Sequence, residues 1–404
     1  MRNLKFTIEE KLILFLPILN AIADVTIYYF SRGSIFHTGD FRGIVLFFLC
    51  IYFLVKHYPL TNIGIIIILY STYLLILTLL SSDVIHSLKG GFIKWFVSFF
   101  MFQIGYYYFK DFRFLYTITY SSIIAALFIC VNYILAQFVE IGVSAYVEDT
   151  FYTGGAGVGV TNSLSFIVLL SPIIFLKKDI TRFNRYFIVI IVSISIIIVF
   201  ITMKRASIFG LAFGFLGYIL LIPQKSKIFK FTFLLIAIVL FTFPLYENVL
   251  LPRLEKRIER TENYESEGRF LEIKYAFKEF QNADVFQKLF GTEAFNSRQY
   301  FGPKYFHNER MIHGDIARYF YGTGLIGLFG YLLIYLMIYF KNIRVHNFSK
   351  YCFNPIINAC FYAIFICASI ITITGFGSVG ERSLFFLFAG GLIGYRKKIQ
   401  LSKA

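Results

Sequence analysis

Apolar residues gather into a dozen runs divided by short polar stretches: 12–30, 43–55, 62–81, 92–109, 114–139, 160–176, 186–203, 206–223, 229–246, 318–340, 352–374 and 383–395. Most approach the ~20 residues with which a helix crosses the hydrocarbon core. The pattern predicts an all-α, polytopic membrane protein with about 12 transmembrane helices. The runs at 43–55 and 383–395 are short for this purpose, and tilt or local thinning must make up the difference. One long polar stretch interrupts the series. The chain therefore divides into helices one to nine over 1–246, a large extracytoplasmic helical loop over 247–317, and helices ten to twelve with a cytoplasmic tail over 318–404.

The loop has helical patterns of its own. In LPRLEKRIERTEN, Pro252 suits a first turn and Leu250, Leu251, Leu254 and Ile258 form an apolar stripe, while Arg253, Arg257 and Arg260 recur at i, i+4 and i+7. In GRFLEIKYAFKEF, Phe270, Leu271, Ile273, Ala276, Phe277 and Phe280 give a second stripe. At the other end of the chain, a basic start through Lys11 and the triplet Ala21-Ile-Ala23 imitate a signal peptide. The apolar run continues through Val25 to Phe30, so an uncleaved span is expected.

Composition strengthens the membrane reading. The 404 residues are 58% apolar, 20% aromatic and 15% charged, with 51 Phe and 29 Tyr, whereas soluble domains run near a quarter charged. The net charge of +16 reports orientation rather than nucleic acid. The loops at 1–11, 56–61, 110–113, 177–185, 224–230, 341–351 and 396–404 hold 20 Lys and Arg, against 7 on the other face when Lys94, at the edge of the fourth run, is counted with the short loops there. Lysine and arginine in short loops resist translocation, so the first set and both termini are assigned to the cytoplasm. Long translocated loops escape this bias, and the cations of the polar stretch do not oppose the assignment. The five cysteines, Cys50, Cys130, Cys352, Cys360 and Cys367, form no C-x-x-C pair and suggest neither a disulfide framework nor a zinc site. No nucleotide loop, dinucleotide fingerprint, zincin helix or carboxylate metal cluster appears, so no cofactor and no metal are expected.

Candidate chemistry sits in a few exceptions. Lys204 and Arg205 occupy a short turn on the face that should be poor in cations. Arg205 opens a helix, where a planar guanidinium and helix-terminal N–H groups together suit a phosphate or diphosphate; snorkelling to headgroups is the bland alternative. Gly210, Gly214 and Gly217 behind it suit close helix packing. Of six histidines, His37, His57, His86 and His346 have nothing distinctive beside them. His307 and His313 stand just before the tenth run, with Asp315 and Arg318 close behind. An interfacial imidazole there would orient or deprotonate a hydroxyl, its tautomer held by an acidic neighbour, although most such histidines are structural. Arg269 joins Arg253, Arg257 and Arg260 as loop cations, but Glu255, Glu259, Glu262, Glu265 and Glu267 interleave with them as in ordinary solvated helices. Asp24 lies within a span and has no evident partner.

In this order the pieces resemble the O-antigen ligase and O-antigen polymerase superfamily of bacterial envelopes. Its members carry about a dozen spans, a large external loop between late helices, an Arg-x-x-x-Leu motif and a motif of His-Asn/Ser/Gln, nine residues, then Gly-x-x-Gly. Here His313-Gly314 is followed by nine residues and Gly324-Leu-Ile-Gly327, a register that His307-Asn308 does not meet. Arg205 matches the arginine motif with Phe209 in place of Leu, and Gly268-Arg269 resembles another recurrent feature. Gly314 departs from Asn, Ser or Gln. The likeness covers roughly 150–340.

The resemblance implies an undecaprenyl-diphosphate-linked oligosaccharide as donor, passed without metal or nucleotide sugar to a sugar hydroxyl with inversion. Arg205 would hold the diphosphate and His313 the acceptor, while Lys204, Arg269, Arg253, Arg257, Arg260, His307, Asp315 and Arg318 would line the outer cleft. The favoured expectation is a polysaccharide polymerase of the bacterial inner membrane, working among membrane lipids with a chain-length regulator as partner and no nucleic acid. The alternatives are a ligase that transfers the glycan to lipid A core or protein, as in lipopolysaccharide assembly, and a lipid-linked oligosaccharide transporter. Transporters commonly show related halves, and none are evident here.

Overall fold

The computed structural model describes residues 6–30, 38–57, 60–109, 111–144, 147–156, 158–177, 179–202, 204–222, 268–310, 312–348, 354–375 and 378–401. The ninth apolar run and Arg253, Arg257 and Arg260 lie outside them. The described chain is helical: α1 (Ile8–Phe30), α2 (Thr38–Lys56), α3 (Asn62–Leu79), α4 (Ile93–Tyr108), α5 (Phe112–Val139), α6 (Thr161–Leu170), α7 (Arg182–Ile201) and α8 (Arg205–Leu221) precede the loop segment. That segment supplies α9 (Gly268–Asn282), α10 (Val285–Phe290) and α11 (Ser297–Phe306). It is followed by α12 (Asp315–Phe348), α13 (Pro355–Thr374) and α14 (Val379–Leu401). A short antiparallel hairpin, Val143–Ser144 with Val147–Tyr152, departs from the all-α expectation. Five helical stretches among the described residues are long and apolar enough to cross a membrane: Asn62–Leu79, Phe112–Val139, Arg182–Ile201, Asp315–Val345 and Pro355–Ile373.

Several helices outrun their apolar patterns because their charges are paired inside the protein. α2 begins before Arg42, whose Nη1 meets Asp24 Oδ1 at 2.5 Å with both side chains buried. Asp24 thus has the partner that the sequence did not reveal. α14 extends the 383–395 run at both ends: Glu381 and Arg382 are buried at its start, and Arg396 near its end donates to Asn342 and Asn358. A charge ends a hydropathy run but not a helix, provided the group is satisfied by a neighbour.

Close backbone approach sets the register of the pairs that matter for the site. Gly210 of α8 lies against Cys367 of α13, and Gly214 against the Ala363 carbonyl. As one sequence ascends the other descends, so the two helices are antiparallel and Arg205 sits at the level where α13 ends, near Gly375. At that end, a side chain on Gly375 would strike the carbonyl of His313, and one on Gly314 would crowd the Ile373 carbonyl. Within α12 the helix breaks at Gly324, with φ 65° and ψ −165°. The carbonyls loosened there are taken by tyrosines of α3: Tyr73 donates to Thr323 at 2.7 Å and Tyr70 to Gly327 at 2.8 Å. Hydrocarbon surroundings offer no water to do this.

The loop helices dock onto the tips of the bundle. Ser82 donates to Glu293, Ser87 to the Ala294 carbonyl, and the Thr292 amide to the Tyr321 carbonyl. A small core of Ala276, Phe301, Ile312, Ala317 and Tyr321 ties them together. Only part of the expected apolar stripe of α9 faces inward: Ala276 is buried and Phe280 lies on the Phe320 ring. Phe270, Ile273 and Phe277 are exposed, whereas Glu272 and Ala276 are buried. Pairing with charged groups on the segment before α12 turns the helix this way, as the site shows.

Candidate active site

His313 is the focus. Its imidazole is 46% exposed, and its Nδ1 stands 2.8 Å from Oε1 of Glu272, a carboxylate with only 2% of its side chain accessible. The other carboxylate oxygen accepts the His313 backbone amide at 2.9 Å, and Oε1 also receives Nε of Arg310 at 2.9 Å. Burial raises the Glu272 pKa, but the side-chain and backbone hydrogen bonds and the charge of His313, with Arg310, outweigh it and leave the carboxyl below its ordinary value. An ionised carboxylate only accepts, so Nδ1 is the donor to it; in the neutral form of the ring Nε2 is then the nitrogen with the lone pair. This is the tautomer a general base requires.

The acidic neighbour anticipated from sequence, Asp315, does something else. It is buried and held by Nη2 of Arg382 at 3.1 Å to both oxygens, and it accepts from the Tyr331 hydroxyl at 3.3 Å. The Arg382 guanidinium lies 3.5 Å from the centre of the Trp95 ring, a cation–π contact shielded from water. Arg318, one turn along α12, places its guanidinium 5.7 Å from the Phe295 ring and reaches the Gly90 carbonyl at 3.5 Å.

The cation pair sits across from this. Arg205 is the first residue of α8, with Lys204 as its N-cap. Lys204 is buried and donates to the Gly159 carbonyl at 3.1 Å. Desolvation pulls its pKa down, the charge of Glu381 opposes this, and that of Arg269 adds to the lowering. Behind Arg205, Ser207 donates to Asn162 Oδ1 at 2.6 Å, and Asn162 donates to Glu381 at 2.8 Å.

The fold thus brings Lys204, Arg205, Arg269, His313, Asp315 and Arg318 to one end of the bundle. His307 is not brought in as a partner: it is exposed, in a left-handed conformation with φ 55° at the end of α11. Sequence reasoning missed Glu272, Arg310, Glu381, Arg382 and Asn162. Glu272 was the most accessible of these, since it lies one helical turn after Arg269 and away from Phe270, Ile273 and Phe277. Comparison with protein-family models gives no match, and comparison with curated proteins gives none either.

Proposed function

We propose that this chain is a membrane glycosyltransferase of the O-antigen polymerase kind, which moves a growing glycan from undecaprenyl diphosphate to a hydroxyl of the next lipid-linked repeat. In this reading it has twelve spans and cytoplasmic termini, and the loop over 247–317 lies on the outer face of the inner membrane. The observation that carries the proposal is the half-exposed His313, its tautomer fixed by buried Glu272, at the same end of the bundle as Lys204, Arg205 and Arg269.

The chemistry follows from these positions. The acceptor oxygen attacks the anomeric carbon, the bond from that carbon to the diphosphate oxygen breaks, and the hydroxyl proton passes to His313 Nε2. Negative charge grows on the departing lipid diphosphate, next to guanidinium groups that need not reorganise to receive it. Since the donor already carries its leaving group, the protein has mainly to hold two substrates and one proton acceptor in line.

Purified protein with lipid-linked repeats tests this. Longer lipid-linked product is expected from the parent, with Arg205→Ala and His313→Ala both severely impaired though folded. Near-normal elongation in either variant removes that residue from the mechanism. Transfer only to an added non-repeat acceptor would make the protein a ligase, and flipping without any elongation would make it a transporter.

A further inference from the structure

Two adjacent residues at the start of α14, Glu381 and Arg382, reach in different directions. Glu381 is fully buried and accepts from Asn162 at 2.8 Å; Asn162 in turn accepts from Ser207 at 2.6 Å, two residues beyond Arg205 on α8. Arg382 grips both oxygens of Asp315 at 3.1 Å, two residues beyond His313 at the head of α12. The base of this fork is fixed as well. The Glu381 amide donates to the Ser378 hydroxyl at 3.2 Å, and that hydroxyl donates to Asp24 at 3.3 Å, whose other oxygen holds Arg42 of α2.

We infer that Glu381 and Arg382 are positioning residues: one arm fixes the helix bearing Arg205, the other the helix bearing His313, and the dipeptide sets the gap between the two. This rests on the reading of Arg205 and His313 as diphosphate-binding and proton-accepting groups. The arms differ in kind from ordinary helix packing. They are bonds between buried side chains, and each ends within one turn of Arg205 or His313. A gap set in this way matters because misplacement by about 1 Å costs on the order of a hundredfold in rate. The Asp24–Arg42 pair contributes no chemistry here; it holds the fork from behind.

The test combines a distance with a rate. Spin-label amino acids replace Phe209 on α8 and Ile316 on α12, both exposed, in full-length protein. The gap between them is read by pulsed electron resonance in the parent background and with Ser207→Ala or Arg382→Lys. Ser207→Ala cuts the Glu381 arm; Arg382→Lys keeps the charge but replaces the guanidinium that lies on Trp95 and reaches Asp315 through Nη2 with a point charge on a different stem. The expected result is a shifted or broadened distance in each variant, with unlabelled protein showing kcat lowered about tenfold or more and the KM for the lipid-linked donor little changed. An unchanged distance in both variants overturns the inference, whatever happens to the rate. If the distances respond but the parent elongates nothing, the positioning stands and the enzymatic reading fails. Should Arg382→Lys not fold, Ser207→Ala alone decides the matter.

Discussion

Two carboxylates at the same end of the bundle, Glu272 and Asp315, each meet an arginine, and they differ because of where they stand. Glu272 faces His313, a side chain nearly half open to its surroundings, and shares its oxygens among an imidazole, an amide and a guanidinium. Asp315 is enclosed, gripped by Arg382 beneath the Trp95 ring. The first arrangement orients a group that reaches outward; the second fastens two helices together. Proximity in sequence to the histidine favours Asp315, yet access decides the roles.

Breaking the enclosed pair should have the largest effect. Arg382→Ala leaves Asp315 buried without its ion-pair partner, which costs about 3–5 kcal/mol, and should lower the thermal midpoint in detergent sharply. The only tryptophan, Trp95, loses its guanidinium neighbour in that variant, so its fluorescence reports the change directly. The open site should answer in the opposite manner. His313→Ala is expected to keep the parent's thermal midpoint while elongation falls about 10²–10⁴-fold, the usual contribution of a positioned general base. A midpoint that drops with the rate would make the histidine structural.

A smaller effect is expected when the base remains but its orientation is lost. Glu272→Gln removes a charge-assisted hydrogen bond worth about 1.5–3 kcal/mol, so elongation should slow roughly ten- to a hundredfold with His313 still present. An unchanged rate would show that the tautomer is set by something else. Smallest is the response to pH. Because Glu272 is held below its ordinary value in the folded protein, its contribution to docking α9 is fully present above the ordinary glutamate range. That contribution fades as pH falls through the lowered value. Hydrogen-exchange protection across Gly268–Asn282, taken relative to the intrinsic amide rate at each pH, should therefore fall on acidification, and Glu272→Gln should abolish that fall. Protection that stays constant with pH would sink this account.

Hydropathy found most of the helices but misplaced their ends wherever a charge is neutralised inside. Arg42 cut the second run short because its partner, Asp24, lies on another helix; Glu381, Arg382 and Arg396 did the same to the last. Arg205 and His313 were legible as exceptions to local rules, one a cation on a cation-poor face, the other an imidazole at the head of a span. Glu272 was not, since 41 residues separate it from His313 and nothing in a linear pattern says which face of a loop helix turns inward. Phe270 and Phe277 of that helix pointed to the wrong face, while Phe280 packs on Phe320: an apolar stripe signals burial only when no ion pair competes for the inward position.

The break at Gly324 gives α12 two independently aimed pieces. The piece that begins beside the imidazole is latched by Tyr73 at Thr323 and the piece beyond the break by Tyr70 at Gly327, so one helix, α3, holds both sides of the hinge. The angle between the two pieces is therefore set from a segment far away in sequence, and substitution at Tyr70 or Tyr73 would retune it with His313 and Glu272 left untouched.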